Sequence, residues 1–189
     1  TSVLFHKASV DKLPLSGTFE LTPRCNFNCR MCYIRHSEQE VRQHDRPMGS
    51  LEEWKNLADE AEKEGMLYLL ITGGEPLLWK DFWPLYEYLK EKGLIISINT
   101  NGSLIDELEV KRFRKMPPCR INITLYGASN ETYERLCRIP MGFQKVDKAI
   151  TLLQEAGILV KLNCSLTPYN VCDLEQMVDY AKSKKLILD

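Results

Sequence analysis

Strand-like segments recur at steady spacing along the 189 residues, with helical patterns between them. They fall at 18–22, 67–71, 94–99, 121–125 and 159–166, and a sixth begins at 186–188. This alternation predicts a parallel sheet with crossover helices. Parallel strands covered on both faces read as continuous apolar runs. Several strands here do not. Thr18, Glu20 and Thr22 alternate with Phe19 and Leu21, and Ser97 and Asn99 with Ile96 and Ile98. Asn122 and Thr124 alternate with Ile121, Ile123 and Leu125, and Lys161, Asn163 and Ser165 with Leu162, Cys164 and Leu166. Successive strand side chains point to opposite faces. One face must therefore meet the helices while the other lines a polar interior. A flat doubly wound sheet has no place for that pattern. A curved or barrel sheet with a wet lumen has one. Antiparallel strands with one solvated face are the alternative, and the intervening helices argue against them. The expected fold is α/β: a partial (β/α) barrel, parallel strands with outer helices, the chain ending at about the sixth strand.

Local signals place the helices. Ser50 with Glu53 three residues on forms a capping box. Asp81 is the expected N-cap of a helix whose apolar face is Phe82, Leu85, Tyr86 and Leu89 and which ends at Gly93. Another helix starts near Asp106 and stops before Pro117-Pro118, and one over 146–156 ends at Gly157. Asp173 with Gln176 is the expected cap of a last helix. Residues 1–16 read as an N-terminal extension and 17–189 as an incomplete barrel core. Thr1 and Asp189 read as cut ends, with a further C-terminal domain expected.

A composition of 44% hydrophobic and 27% charged residues suits one packed core. The formal net charge of -1 gives no basic field for nucleic acid. The apolar runs are too short to span a bilayer, and no signal peptide is evident. A cytoplasmic protein without nucleic-acid or membrane partners is expected.

Seven cysteines are many for such a chain, and their odd number argues against a closed disulfide framework. Cys119, Cys137, Cys164 and Cys172 are scattered, as small buried hydrophobes usually are. Cys25, Cys29 and Cys32 cluster directly after the first strand, in the spacing C-x3-C-x2-C. Three thiolates in one short loop suit a soft metal centre. Ordinary iron–sulfur clusters take four cysteines and structural zinc takes four protein ligands. No fourth cysteine or histidine stands at ligand spacing, so an open metal position is implied. Zinc completed by His36 or a distant cysteine, and a disulfide with one free thiol, are the competing readings.

Thr72-Gly73-Gly74-Glu75-Pro76 follows the second strand. Two glycines let a ligand approach the backbone, and Pro76 restricts Glu75. A phosphate loop is the competing reading, but no G-x-x-x-x-G-K follows. With the cysteine loop, this segment resembles the radical SAM superfamily, in whose motif Met31 takes the position that is often aromatic. The resemblance implies that Cys25, Cys29 and Cys32 hold three irons of a [4Fe–4S] cluster, the fourth being left for S-adenosylmethionine. It implies that Gly73, Gly74 and Glu75 hold the amino group of the cofactor's methionine part, and that the Met31 backbone touches the adenine edge. Thr124 matches a ribose-facing position, and Asn163 and Ser165 lie where the family contacts the nucleoside. Arg138 resembles an arginine that pairs with the cofactor carboxylate in some members, or is a plain surface cation. Asn99, Thr100 and Asn101 face the same mouth, or serve turn chemistry at Asn101-Gly102. Tyr126 and Lys161 point toward the same region.

The implied chemistry is reductive cleavage of S-adenosylmethionine to a 5′-deoxyadenosyl radical that takes hydrogen from substrate. Leu125-Tyr-Gly-Ala-Ser, with Gly142-Phe143 further on, resembles the SPASM-type peptide-modifying branch. A peptide substrate and an electron donor such as flavodoxin or ferredoxin follow from that likeness. Small-molecule cofactor biosynthesis is the alternative within the family. Outside it stand an iron–sulfur electron-transfer protein and a non-catalytic binding protein.

Overall fold

The computed structural model describes residues 2–34 and 49–189. His36, the candidate completing ligand for zinc, lies outside the described residues. Five strands form one parallel sheet in sequential order: β1 (Ser16–Glu20), β2 (Tyr68–Thr72), β3 (Ile95–Thr100), β4 (Arg120–Thr124) and β5 (Val160–Asn163). The helices are α1 (Ser2–Val10), α2 (Leu51–Lys63), α3 (Phe82–Glu91), α4 (Glu107–Lys115), α5 (Asn130–Cys137), α6 (Gly142–Glu155) and α7 (Leu174–Ser183). Each β-to-β crossover is thus helical, and the sheet stays open.

The strand alternation sorts into two faces. Phe19, Ile71, Ile96, Ile98, Ile121, Ile123 and Leu162 are buried, continuous with a core that takes in Leu85, Tyr86 and Leu89 of α3 and Val146, Ala149 and Ile150 of α6. At about 25 cal/mol per Å2 this apolar burial is the main force holding the layers together. On the opposite face, Thr18, Ser97, Asn99, Asn122, Lys161 and Asn163 line a cavity of about 480 Å3. Register places Asn99 beside Asn122, Asn122 beside Lys161, and Thr124 beside Asn163. The polar stripe is therefore continuous across three strands.

The sixth strand is only a beginning. Leu188 meets Leu162 in a single parallel bridge, and the Leu162 N–H donates to Ile187 O at 3.0 Å. The fifth strand stops at Asn163, short of the expected 166. Asn170, fully buried, causes this. Its carboxamide oxygen accepts from Thr167 N at 2.7 Å, and its Nδ2 donates to Ser165 O and Tyr126 O at 3.1 Å each. Ser165 is drawn out of the strand by these bonds and left exposed.

The caps divide likewise. Ser50 and Glu53 form the full capping box, and Asp106 accepts from Leu108 N and Glu109 N. Asp81 and Asp173 make no side-chain cap. The Asp173 carboxylate instead accepts from Ala128 N at 3.1 Å, ahead of α5. Two helices lie outside those expected: α1 beside β2, where Phe5 stacks on Tyr68 at 5.5 Å, and the short α5.

Candidate active site

The cysteine loop leaves β1 and is fastened on both sides. On one side it is zipped to the glycine turn after β2. Gly74 N–H donates to Thr22 O at 2.7 Å and Glu75 N–H to Arg24 O at 2.8 Å. A Cβ on Gly73 would lie 2.5 Å from Thr22 O, and one on Gly74 2.4 Å from Arg24 O. Gly73 also has φ +139°. The backbone that first requires these glycines is thus the chain's own cysteine loop.

On the other side the loop rests on the C-terminal end of α5. Asn28 N–H donates to Cys137 O and Arg30 N–H to Leu136 O, each at 3.0 Å. These carbonyls are among the last four of the helix, which have no intrahelical partner. Arg30 Nε adds a bond to Arg135 O at 2.8 Å. Phe27 drives a ring into the core between them, with Tyr126 and Tyr133 each 6.2 Å away by centroid. The loop is therefore positioned by three separate elements.

Glu75 is fully buried. Thr100 Oγ1 donates to its carboxylate at 2.8 Å, Asn101 N–H at 2.8 Å and Leu77 N–H at 3.2 Å. Burial pushes its carboxyl up to about 7, and the three donors pull the other way. The carboxylate faces the end of β3, so the turn offers a ligand its backbone.

Asn101 sits at the centre of this arrangement. Its Nδ2 donates to Cys25 Sγ at 3.7 Å and to Asn26 Oδ1 at 2.9 Å, while its Oδ1 accepts from Ser103 N at 2.9 Å. Phe27 N–H also donates to Cys25 Sγ, at 3.4 Å. As a free thiol, Cys25 is pushed up to about 11, first by burial and further by the charge on Glu75. A hydrogen bond with Cys29, together with burial, pushes the wholly buried Cys137 thiol up. A coordinated metal deprotonates such thiols outright.

The donor set fits an iron–sulfur cluster. It consists of three sulfurs on one anchored loop, Cys25 and Cys29 half-buried and Cys32 exposed. Among the described residues no three His, Cys, Asp or Glu side chains gather around one ion position.

The remaining expected residues are placed as follows. Met31 is half-buried against the core. Thr124 and Asn163, both half-buried, stand side by side at the ends of β4 and β5. Ser165 lies beyond the strand. Arg138 is exposed, in the left-handed conformation that ends α5, directly after the carbonyl that holds the cysteine loop. Lys161 pairs with Asp189, and Tyr126 is packed beside Phe27. The sequence reading missed the amide of Asn101 on Cys25 and the whole role of Asn170. For Asn101 the only signal was its turn position before Gly102.

Residues 19–181 match the family described as the radical SAM superfamily. The chain belongs to that superfamily. Its cofactors, a [4Fe–4S] cluster and S-adenosylmethionine, are those that the resemblance implied. The chain is 31% identical over 178 residues to the Fe-coproporphyrin III synthase of Methanosarcina barkeri, covering 94% of this chain and 43% of that protein. It is 29% identical to the antilisterial bacteriocin subtilosin biosynthesis protein AlbA of Bacillus subtilis, covering 87% and 36%. Among solved structures, Streptococcus suis SuiB bound to S-adenosylmethionine superposes with a TM-score of 0.75 at 21% identity, covering 98% of this chain and 43% of that one. That likeness shows the fold. The radical SAM chain thus spans less than half the length of these relatives. Among the described residues, no helix is long and apolar enough to cross a membrane.

Proposed function

We propose that this chain is the catalytic core of a radical SAM enzyme that modifies a peptide. The observation that carries the reading is the joining of Cys25 to the Gly73–Gly74–Glu75 turn. Backbone bonds from Gly74 and Glu75 and the Asn101 side chain put the cluster loop and the glycine turn in one rigid unit. Cys25, Cys29 and Cys32 would hold the cluster, and the turn's backbone, with Glu75 buried behind it, would hold the amino group of the methionine part. Met31, Thr124, Asn163 and Ser165 would bracket the nucleoside, and Arg138 would meet the carboxylate. When bound, the cofactors supply a 5′-deoxyadenosyl radical that abstracts hydrogen from substrate. The chain's own residues orient that pair, and the sheet's apolar face and helices exclude solvent behind it. The polar cavity on the same sheet face is lined by Ser97, Asn99, Asn122 and Asn163 and reaches to the strand starts at Ser16, Tyr68, Ile95 and Arg120.

A peptide substrate is supported by AlbA among the sequence relatives and by SuiB, which has been solved bound to its precursor peptide SuiA. The 31% identity to Fe-coproporphyrin III synthase favours a second reading, a small tetrapyrrole substrate. A flavodoxin or ferredoxin in the cytoplasm would supply the electron. The test is anaerobic reconstitution with iron and sulfide, reduction, and addition of S-adenosylmethionine, using the protein extended to the length of its relatives. 5′-Deoxyadenosine is expected from the natural sequence and none from Cys29→Ala. Equal product from both refutes the assignment.

A further inference from the structure

We propose that Asn101 is a positioning residue that tunes the cluster, its side-chain amide donating to the Cys25 sulfur and raising the reduction potential. The proposal rests on Cys25 being a cluster ligand. Three observations carry it. Asn101 is 5% exposed, so its amide is not shared with bulk water. Its Nδ2 lies 3.7 Å from Cys25 Sγ. The residue is locked from three directions. Asn26 Oδ1 accepts from Nδ2 at 2.9 Å, Ser103 N–H and Oγ donate to Oδ1 at 2.9 and 2.7 Å, and the Asn101 N–H is held by Glu75 at 2.8 Å.

The turn chemistry of Asn101-Gly102 uses only the oxygen of the carboxamide. The nitrogen is left for the cysteine loop, and the same residue bonds the Glu75 carboxylate through its backbone. Cluster ligand and glycine turn are thereby bridged by one amino acid 26 residues from Glu75 and 76 from Cys25.

Hydrogen bonds to cluster sulfurs are among the protein's means of setting the potential. Reduction adds one electron to the cluster and makes the thiolate sulfurs more electron-rich. A donor on Cys25 therefore stabilises the reduced state more than the oxidised one. Its removal makes reduction harder.

The experiment is an EPR-monitored potentiometric titration of the reconstituted holoprotein with dithionite, which supplies one electron per [4Fe–4S]2+ to give [4Fe–4S]1+. Asn101→Ser keeps a short hydroxyl for the turn but cannot reach Cys25. Asn101→Asp keeps the oxygen and puts a negative charge in place of the donor. Ser103→Ala removes a turn partner and the acceptor of Asn26 Nδ2 at 2.8 Å, but leaves the amide on sulfur. The expected order of potentials is wild type above Asn101→Ser above Asn101→Asp. For Asn101→Ser the one-electron reduction constant falls roughly three- to tenfold, about 28–59 mV. Ser103→Ala stays at the wild-type potential.

Wild-type potentials in both Asn101 variants overturn the proposal. So does an equal shift in Ser103→Ala, or loss of the cluster itself in Asn101→Ser, since each marks a scaffold role instead. Iron content of the wild-type protein separates the two levels: a wild-type chain that takes up no iron refutes the cluster reading on which the proposal stands.

Discussion

Gly74→Ala tests the zipper between the cysteine loop and the glycine turn. The added Cβ would lie 2.4 Å from Arg24 O, 2.7 Å from Arg24 C and 2.8 Å from Pro23 O. All three atoms are backbone, so no rotamer change relieves the clash. Reaching ordinary contact at 3.4 Å requires the two segments to part by about 1 Å. The bonds from Gly74 N to Thr22 O and Glu75 N to Arg24 O, now 2.7 and 2.8 Å, would then exceed hydrogen-bond length. Two such bonds contribute about 1 kcal/mol each, and overpacking costs a further ~1–3 kcal/mol. The expected destabilisation is about 3–5 kcal/mol, or a melting point lower by roughly 6–20 °C for a chain of this size. Thermal and urea melts of the metal-free protein measure it. Gly93→Ala is the control. Gly93 has φ +80° but nothing within 4 Å of its would-be Cβ, so only conformational strain of about 1–2 kcal/mol applies. A Gly74→Ala protein no less stable than Gly93→Ala refutes the close-approach argument.

Two further effects follow from buried polar groups. Glu75 rises from 4.5 to about 7, chiefly through burial. The folded protein thus keeps this proton to higher pH than the unfolded chain. The stability it contributes is complete below 4.5 and is lost as pH rises through 7, by about 3 kcal/mol in all. Glu75→Gln should flatten that part of the stability–pH curve in the metal-free protein, and an unchanged slope contradicts the assignment. Asn170→Ala should cost about 2–3 kcal/mol, because it strands the half-buried partners Thr167 N–H and Tyr126 O. Chemical denaturation reads this directly, and a loss under 0.5 kcal/mol, the usual size of a surface substitution, counts against the role given to Asn170.

What the sequence made legible is what repeats or caps. The alternation of Ser97 and Asn99 with Ile96 and Ile98 encodes two faces, and the structure separates them into core and cavity. Ser50 and Glu53 encode their capping box locally. The glycine pair and the three cysteines encode a loop-to-loop approach. What stayed hidden depends on long-range partners. Asn170 ends β5 by reaching back 44 residues to Tyr126 O, and no local pattern marks it. Asp173 has the look of a helix cap but is claimed by Ala128 N across the chain. The eight residues of α5 were legible but not read. They form a helix because Ser129 caps them and because Tyr133, Leu136 and Cys137 are buried in the core.

In the proposed site, three cysteines would leave one iron open beside the glycine turn. EPR of the reduced, reconstituted protein before and after S-adenosylmethionine tests that most directly. The expected result is a [4Fe–4S]1+ signal whose g-values shift when the cofactor is added, with the signal lost in Cys29→Ala. Superimposable spectra with and without S-adenosylmethionine would contradict it.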